Sequence, residues 1–307
     1  MHITIRQLQI VDAIVQLGSY SLAAEKLHMT QPAVSMQIKQ LESNTGIVLF
    51  ERQGKRIALT ETGKDFHQYS HKLTIDYDDL IEATHEIKDL HRGRIKVSAT
   101  TTSNHLITQM IACFSKENKN IKVVLKITNR EKLIKQLQNF EPDIVLMGEP
   151  PPKSGLVSEP LIPNPLCVIA HTDHPCVNKR NISFKDIATH EFIVREQGSG
   201  TRATINSFFK AQHQELKSTL EMGSNEAIKH AVIAGLGLGI VSLHSIKLEL
   251  EAKKLVILDV NRLPIQRHWH IVKRKDKKLP PAAKQFQDFM IKESKKYARS
   301  YDPFLKK

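Results

Sequence analysis

Apolar residues recur at helical spacing from the start of the chain. Leu8, Val11, Ile14 and Val15 share one face of the stretch from Ile5 to Gly18, and Gly18 reads as the helix stop. A second helix follows, with Ser21 as its expected cap and Leu22, Ala23, Ala24 and Leu27 on one stripe; His28 and Met29 then turn the chain. The third segment opens with Thr30 as N-cap and Pro32 in the first turn, where a missing N–H costs nothing, and Val34, Ile38 and Leu41 recur at i, i+4 and i+7. Beyond Gly46, two apolar runs, Val48 to Phe50 and Ile57 to Leu59, flank a polar turn, which is a β-hairpin pattern. From Glu61 to Leu90 there is no proline. Phe66, Leu73, Leu80 and Ile87 repeat every seven residues, with Tyr69, Ala83 and Leu90 in a second series that Asp76 interrupts. This predicts a coiled-coil seam; the competing reading is a long amphipathic helix packed on its own chain.

After Gly93 the pattern changes to strands alternating with helices, which predicts a mostly parallel sheet. A strand over Ile95 to Ala99 ends in a hydroxyl-rich turn, Thr100, Thr101, Thr102 and Ser103; a helix, the run IKVVLKIT, a helix to Asn139 and the run DIVLMG follow. Proline-rich segments (EPPPKSG, EPLIPNPLCVIAHTDHP) carry the chain toward a second lobe, RHWHIVKRKD brings it back, and a last helix runs from Pro281 to about Arg299. Two crossings make a hinged cleft. Ligands in such sheets sit at the carboxyl ends of strands, so Thr100 to Ser103 and Gly148 to Glu149 are candidate ligand positions.

Two segments carry chemistry. Helix-turn-helix geometry with Gln31, Ser35, Met36 and Lys39 left on the outer face suits base edges and phosphates of double-stranded DNA, with Ser21, Thr30 and Pro32 beside them; an ordinary amphipathic helix pair with a solvated outer face is the competing reading. Arg52, Lys55 and Arg56 on the hairpin add phosphate-neutralising cations. In the second lobe, REQGSGTRATINSFF is a strand end, a Gly-Ser-Gly turn and a helix. Backbone N–H groups and hydroxyls at Ser199, Gly200 and Thr201, with the Arg202 guanidinium, are the residue types that hold a carboxylate or phosphate; a purely geometric turn is the competing reading. It is no nucleotide P-loop, for it lacks the GK[ST] ending, and GLGLG at Gly235 to Gly239 follows a helix instead of opening one.

Composition narrows the choice. The chain has 307 residues, 40% of them hydrophobic, and a formal net charge of +13. The charge is unevenly placed: residues 1–60 carry six Lys/Arg against four acids, whereas residues 262–307 carry fourteen against four. That C-terminal excess reads as a solvated face. Cys113, Cys167 and Cys176 have no metal-site spacing and are expected to be reduced, buried thiols. No leader-like or membrane-spanning run is evident, which predicts a cytoplasmic protein with no membrane partner. The 15 histidines are scattered and neither HExxH nor GxSxG occurs, which argues against an enzyme.

The run RQLQIVDAIVQLGSYSLAAEKLHMTQPAVSMQIKQLESNTGIVLFERQGKRIALTETGK resembles the N-terminal domain of LysR-type transcriptional regulators, with TQPAVSMQIKQLE its most specific part. The resemblance implies a winged helix-turn-helix (1–60), a dimerising linker helix (61–91) and an effector domain of two α/β lobes like a periplasmic binding protein (92–307; one lobe from 92–162 and 268–307, the other from 163–267). It implies pairing into homodimers and homotetramers, a small-molecule co-inducer and no resident cofactor or metal, with RNA polymerase a further candidate partner. The passages EPLIPNPLCVIAHTDHP, REQGSGTR and QGKRI are similar to the branch that activates RuBisCO operons, which implies a phosphorylated or nucleotide-type metabolite as effector. The alternatives are a regulator of another operon that senses oxidant or another ligand, the former through Cys167 and Cys176, and a solute-binding module.

Overall fold

The structure is a computed structural model that describes residues 2–53, 56–88, 93–152 and 154–299. It divides into two compact units, Met1–Leu90 and His91–Lys307.

In the first unit, helix α1 (Ile5–Leu17) begins at a capping box in which Thr4 and Gln7 satisfy each other's backbone N–H, and ends at Gly18, whose φ of 63° is the left-handed conformation glycine adopts freely. Helix α2 (Tyr20–Lys26) is capped by Ser19, two residues ahead of the expected Ser21, because the Ser19 hydroxyl accepts from Leu22 N. Ser21 lies exposed in the first turn, and Leu22 is likewise turned out to solvent, while Ala23 and Ala24 are buried where the helices cross. His28, left-handed at φ 54°, makes the turn. Helix α3 (Gln31–Thr45) starts from the Thr30 hydroxyl and ends at Gly46. Val34, Ile38 and Leu41 close a core with Ile10, Val11, Ile14 and Leu49. Strands β1 (Phe50–Gln53) and β2 (Arg56–Leu59) pair antiparallel as the hairpin.

Helix α4 (Glu61–Lys88) starts where Thr60 Oγ1 accepts from Gly63 N, and Gly63 is required there because a Cβ would overlap the Leu49 carbonyl. The seam differs from the heptad reading at its start. Phe66 packs into the core of its own unit, since the first turns of α4 lie against α1. The exposed apolar row is instead Tyr69, Leu73, Tyr77, Leu80 and Ile81, with Leu73 54% and Leu80 60% exposed. The Ala83 and Ile87 side chains and Leu90 lie outside the described residues.

The second unit holds two five-stranded sheets. The first lobe contains β3 (Gly93–Thr100), α5 (Asn104–Glu117), β4 (Ile121–Thr128), α6 (Arg130–Gln138), β5 (Ile144–Met147) and β6 (Leu156–Pro163). The second contains β7 (Leu166–His171), α7 (Phe184–Ile187), β8 (Phe192–Arg195), α8 (Gly200–Ala211), β9 (Ser218–Met222), α9 (Asn225–Ile233), β10 (Leu238–Ser242), α10 (Lys247–Glu251) and β11 (Leu255–Ile257). The chain then returns through β12 (His268–Arg274) and α11 (Pro281–Arg299) to the first lobe. Sheet orders are β4-β3-β5-β12-β6 and β11-β7-β10-β8-β9.

In each sheet four of the five strands run in one direction, as the alternation of strands and helices predicts, and one is reversed. β12 enters antiparallel between β5 and β6 because it comes from the other lobe, and β7 runs antiparallel to both β10 and β11. The two crossings run side by side, joined by Asn164 N to the Arg267 carbonyl (2.7 Å) and Leu166 N to the Ile265 carbonyl (3.0 Å).

Candidate functional site

The outer face of α3 presents Gln31, Pro32, Ser35, Met36, Lys39, Gln40 and Ser43 along one open strip. Val34, Ile38 and Leu41 hold the opposite face in the core, so the strip stands on a fixed support. Met36 is 63% exposed, and Gln31, Pro32 and Lys39 are exposed with it; Thr30, exposed too, commits its hydroxyl to Ala33 N. Arg52 on the hairpin is exposed; Lys55 and the Arg56 side chain lie outside the described residues. Amide, hydroxyl and ammonium groups on one helical face, with a cation on the adjacent wing, are the donors and acceptors that base edges and phosphates require.

The second unit has a polar cleft of about 520 Å³ between its lobes. Of the expected ligand positions, Thr100, Thr101, Thr102, Gly148, Glu149, Ser199, Gly200 and Thr201 line it. Ser103 and Arg202 do not. The Ser103 hydroxyl is fully buried and spent on the Thr100 and Leu146 carbonyls, holding the hydroxyl turn to β5. Arg202 follows Thr201 by one helical step, which turns it away; its Nη1 donates to the Arg195 carbonyl (2.9 Å) and lies 3.7 Å from the Glu221 carboxylate. Glu149 contributes its carbonyl, which accepts from Arg130 Nη2 (3.1 Å).

The cations of the cleft are three arginines that no local motif announces. Arg195, at the carboxyl end of β8, is 1% exposed; it pairs with Glu196, donates to Asn225 and reaches the other lobe through Nη2 to Thr101 Oγ1 (3.0 Å). Arg130, at the start of α6, is half-buried, and burial lowers its pKa. Gly200 packs so closely on it that a Cβ would come within 2.9 Å of Arg130 Cδ. Gly198 takes a φ of 83°, and its carbonyl accepts from Glu131 N of the opposite lobe (3.3 Å).

Arg267 lies on the returning crossing. Its Nε donates to the Asn164 carbonyl (3.2 Å) and its Nη2 approaches Thr201 Oγ1 (3.4 Å). With the Asn164 amide oriented to satisfy its neighbours, the side-chain oxygen accepts from Arg267 and from Trp269 Nε1 (2.9 Å), and the nitrogen donates to Ser242. Every one of these acceptors is neutral, and among the described residues no carboxylate pairs with Arg267. Burial, reinforced by the nearby Arg195 charge, pushes the Arg267 pKa down to about 9.

The N-terminus of α8 also faces the cleft. Ser199 occupies its cap position without a side-chain cap bond, so the first-turn N–H groups are left to an incoming acceptor. The arrangement is suited to an anion with several acceptor oxygens.

The thiols answer the oxidant alternative. Burial pushes Cys167 up to about 12, away from the thiolate that oxidation needs, and Cys176 is buried as well; Cys113, expected inside, is exposed on α5. No described helix is long and apolar enough to cross a membrane.

A helix-turn-helix with a wing, followed by two α/β lobes around a polar cleft, defines a DNA-binding transcriptional regulator that responds to a small-molecule effector. Residues 5–64 match the bacterial regulatory helix-turn-helix protein, lysR family, and residues 88–295 match the LysR substrate binding domain. The chain belongs to the LysR family. It is 42% identical over 294 residues, 96% of this chain and 97% of the other, to a RuBisCO operon transcriptional regulator of Allochromatium vinosum. It is 36% identical to the HTH-type transcriptional activator CmpR of Synechocystis over 94% of this chain and 95% of that one. Among solved structures, the regulatory domain of CcmR from Synechocystis in complex with 2-PG is 35% identical, with a TM-score of 0.64 over 66% of this chain and 98% of that one. A full-length OxyR variant from Pseudomonas aeruginosa, 20% identical over 96% of this chain and 95% of that one, shares the fold with a TM-score of 0.72.

Proposed function

We propose that this regulator controls carbon-fixation genes, as the names of its relatives suggest, and that a small phosphorylated or carboxylated metabolite in the interlobe cleft sets its activity at the promoter. The observation that carries the effector class is Arg267, a half-buried guanidinium whose bonds all go to neutral acceptors. An anion oxygen there would supply the missing countercharge, with Arg130, the Thr101 and Thr102 hydroxyls and the N–H groups at Ser199 to Thr201 around it. The related CcmR regulatory domain is in complex with 2-PG, which makes 2-PG the first compound to test. A bound anion would favour one arrangement of the lobes by its differential affinity.

In this reading residues 1–60 bind DNA, 61–91 dimerise and 92–307 bind the effector. Gln31, Ser35, Met36 and Lys39 read the major groove and Arg52, Lys55 and Arg56 neutralise phosphate, with Ser21, Thr30 and Pro32 at the edge of the contact. The protein works in the cytoplasm as a tetramer built from α4-paired dimers, and acts as an activator in contact with RNA polymerase. The test is a thermal-shift screen of the full chain with 2-PG, sugar phosphates, phosphoenolpyruvate and reduced nicotinamide nucleotides, repeated with Arg267→Met. A hit that stabilises the variant as strongly as the parent binds elsewhere and overturns the placement.

A further inference from the structure

Away from both sites, α1 and α4 meet at a group of side chains that regulation by an interlobe ligand does not use. Asp12 of α1 faces His67 and His71, which stand four residues apart on α4 and so on one helical face. Asp12 Oδ1 lies 2.9 Å from His67 Nε2, and Oδ2 lies 3.0 Å from His71 Nδ1. The two imidazoles are stacked, with centroids 5.3 Å apart and 21° between their planes, so both nitrogens converge on the carboxylate. Thr74, one turn further along, donates its hydroxyl to Asp12 Oδ2 at 2.6 Å and fixes the rotation of the carboxyl group. The three side chains are 13%, 22% and 19% exposed, enough for a water to reach them.

From this geometry we infer that Asp12, His67 and His71 bind one divalent transition-metal ion of the zinc class. One atom from each residue lies within 4.8 Å of the others. An ion holding nitrogen and oxygen ligands at about 2.0 to 2.2 Å in a tetrahedron needs them roughly 3.3 Å apart, a few tenths of an ångström more than the two Asp12–histidine contacts of 2.9 and 3.0 Å. Two neutral imidazoles, one carboxylate and a water complete that shell. The imidazole protons that now point at Asp12 would move to the other ring nitrogens, and Thr74 would keep its bond to the carboxylate, as the outer partners of metal-bound carboxylates do. Asp12 already favours the anionic form: burial pushes its pKa up, but the bonds from His67, His71 and Thr74 outweigh that and hold it below the usual carboxylate range. The ion would pin α4 to α1, joining the linker helix to the DNA-binding core by coordination as well as packing.

The experiment uses full-length protein stripped with a chelator and titrated with ZnCl2 by calorimetry, in a Cys113→Ser background so that the exposed thiol does not compete. We expect one zinc per chain, a rise in melting temperature with zinc, loss of both in His67→Ala and in His71→Ala, and about 10-fold weaker binding in Thr74→Val. Cobalt(II) in the parent protein gives a readout that needs no further variant, expected to be a low-symmetry nitrogen and oxygen spectrum and not that of the hydrated ion. Zinc binding unchanged in both histidine variants, no zinc binding at all, or a hydrated-ion cobalt spectrum would each overturn the inference and leave the group as a hydrogen-bonded triad.

Discussion

Replacing Arg267 by methionine separates the cost of holding a cation in the cleft from its use. The Arg267 pKa falls from an ordinary 12.5 to about 9, so the folded chain holds this proton less tightly than the unfolded one. For a base with a lowered folded pKa, that destabilisation is fully present at neutral pH and is relieved only as pH rises above about 9. Its size is on the order of 4 to 5 kcal/mol. Against it stand the bonds from Arg267 to the Asn164 carbonyl, the Asn164 side chain and Thr201, together roughly 3 to 5 kcal/mol for a charged donor on neutral acceptors. The two nearly cancel, so the ligand-free variant should melt within a few degrees of the parent. The bound state has no such compensation. Losing a charge-assisted bond to an anion costs roughly 1.5 to 3 kcal/mol, or about 10- to 150-fold in affinity. Calorimetric titration with the phosphorylated compound that shifts melting most, alongside thermal melts without ligand, reads both quantities. Affinity within about threefold of the parent, or a ligand-free melting temperature lowered by about 10 °C or more, would refute the reasoning, the first by placing the anion elsewhere and the second by making Arg267 a structural brace.

Four further outcomes are expected. Gln31→Ala or Ser35→Ala should lower discrimination between operator and random duplex by about 1 to 3 kcal/mol per lost base contact, whereas Arg52→Ala should weaken both alike and flatten the salt dependence in a gel-shift titration. Leu73→Asp with Leu80→Asp, both on the exposed apolar row of α4, should reduce the particle mass measured by light scattering and abolish tight operator binding; an unchanged mass would place dimerisation elsewhere. Burial holds His105 and His244 neutral with pKa values of about 4, so stability should be lost as pH falls from about 6.5 to 4, and His105→Leu should shallow that decline in acid denaturation by about 3 kcal/mol at most. Gly200→Ala should push Arg130 aside and weaken effector binding while melting changes little; unaltered binding would remove Arg130 from the site.

The sequence pattern specifies most where one physical requirement acts alone. Burial of Val34, Ile38 and Leu41 follows from helical spacing, and with it the exposed row on α3, because a short helix has only one face to bury. The Ser19 cap is not legible in this way, because Ser19 and Ser21 are chemically alike and the backbone, not the residue type, chooses between them. Phe66 falls in the heptad series because a seven-residue repeat cannot say which partner an apolar face meets, and the start of α4 meets its own unit. In the cleft, the hydroxyl turn and the Gly-Ser-Gly turn are legible since their chemistry is local. The cations are not. Arg202 adjoins the turn in sequence yet points at Glu221, while Arg195 enters from the end of a strand and Arg267 from a crossing 66 residues beyond Thr201, the hydroxyl it approaches. Their convergence is a property of two lobes closing, and β12 entering its sheet antiparallel is what returns Arg267 to that seam. A charge brought to a site by topology leaves no local motif. Its signature is energetic: a half-buried guanidinium with only neutral partners, for which an anionic ligand supplies the countercharge the chain itself lacks.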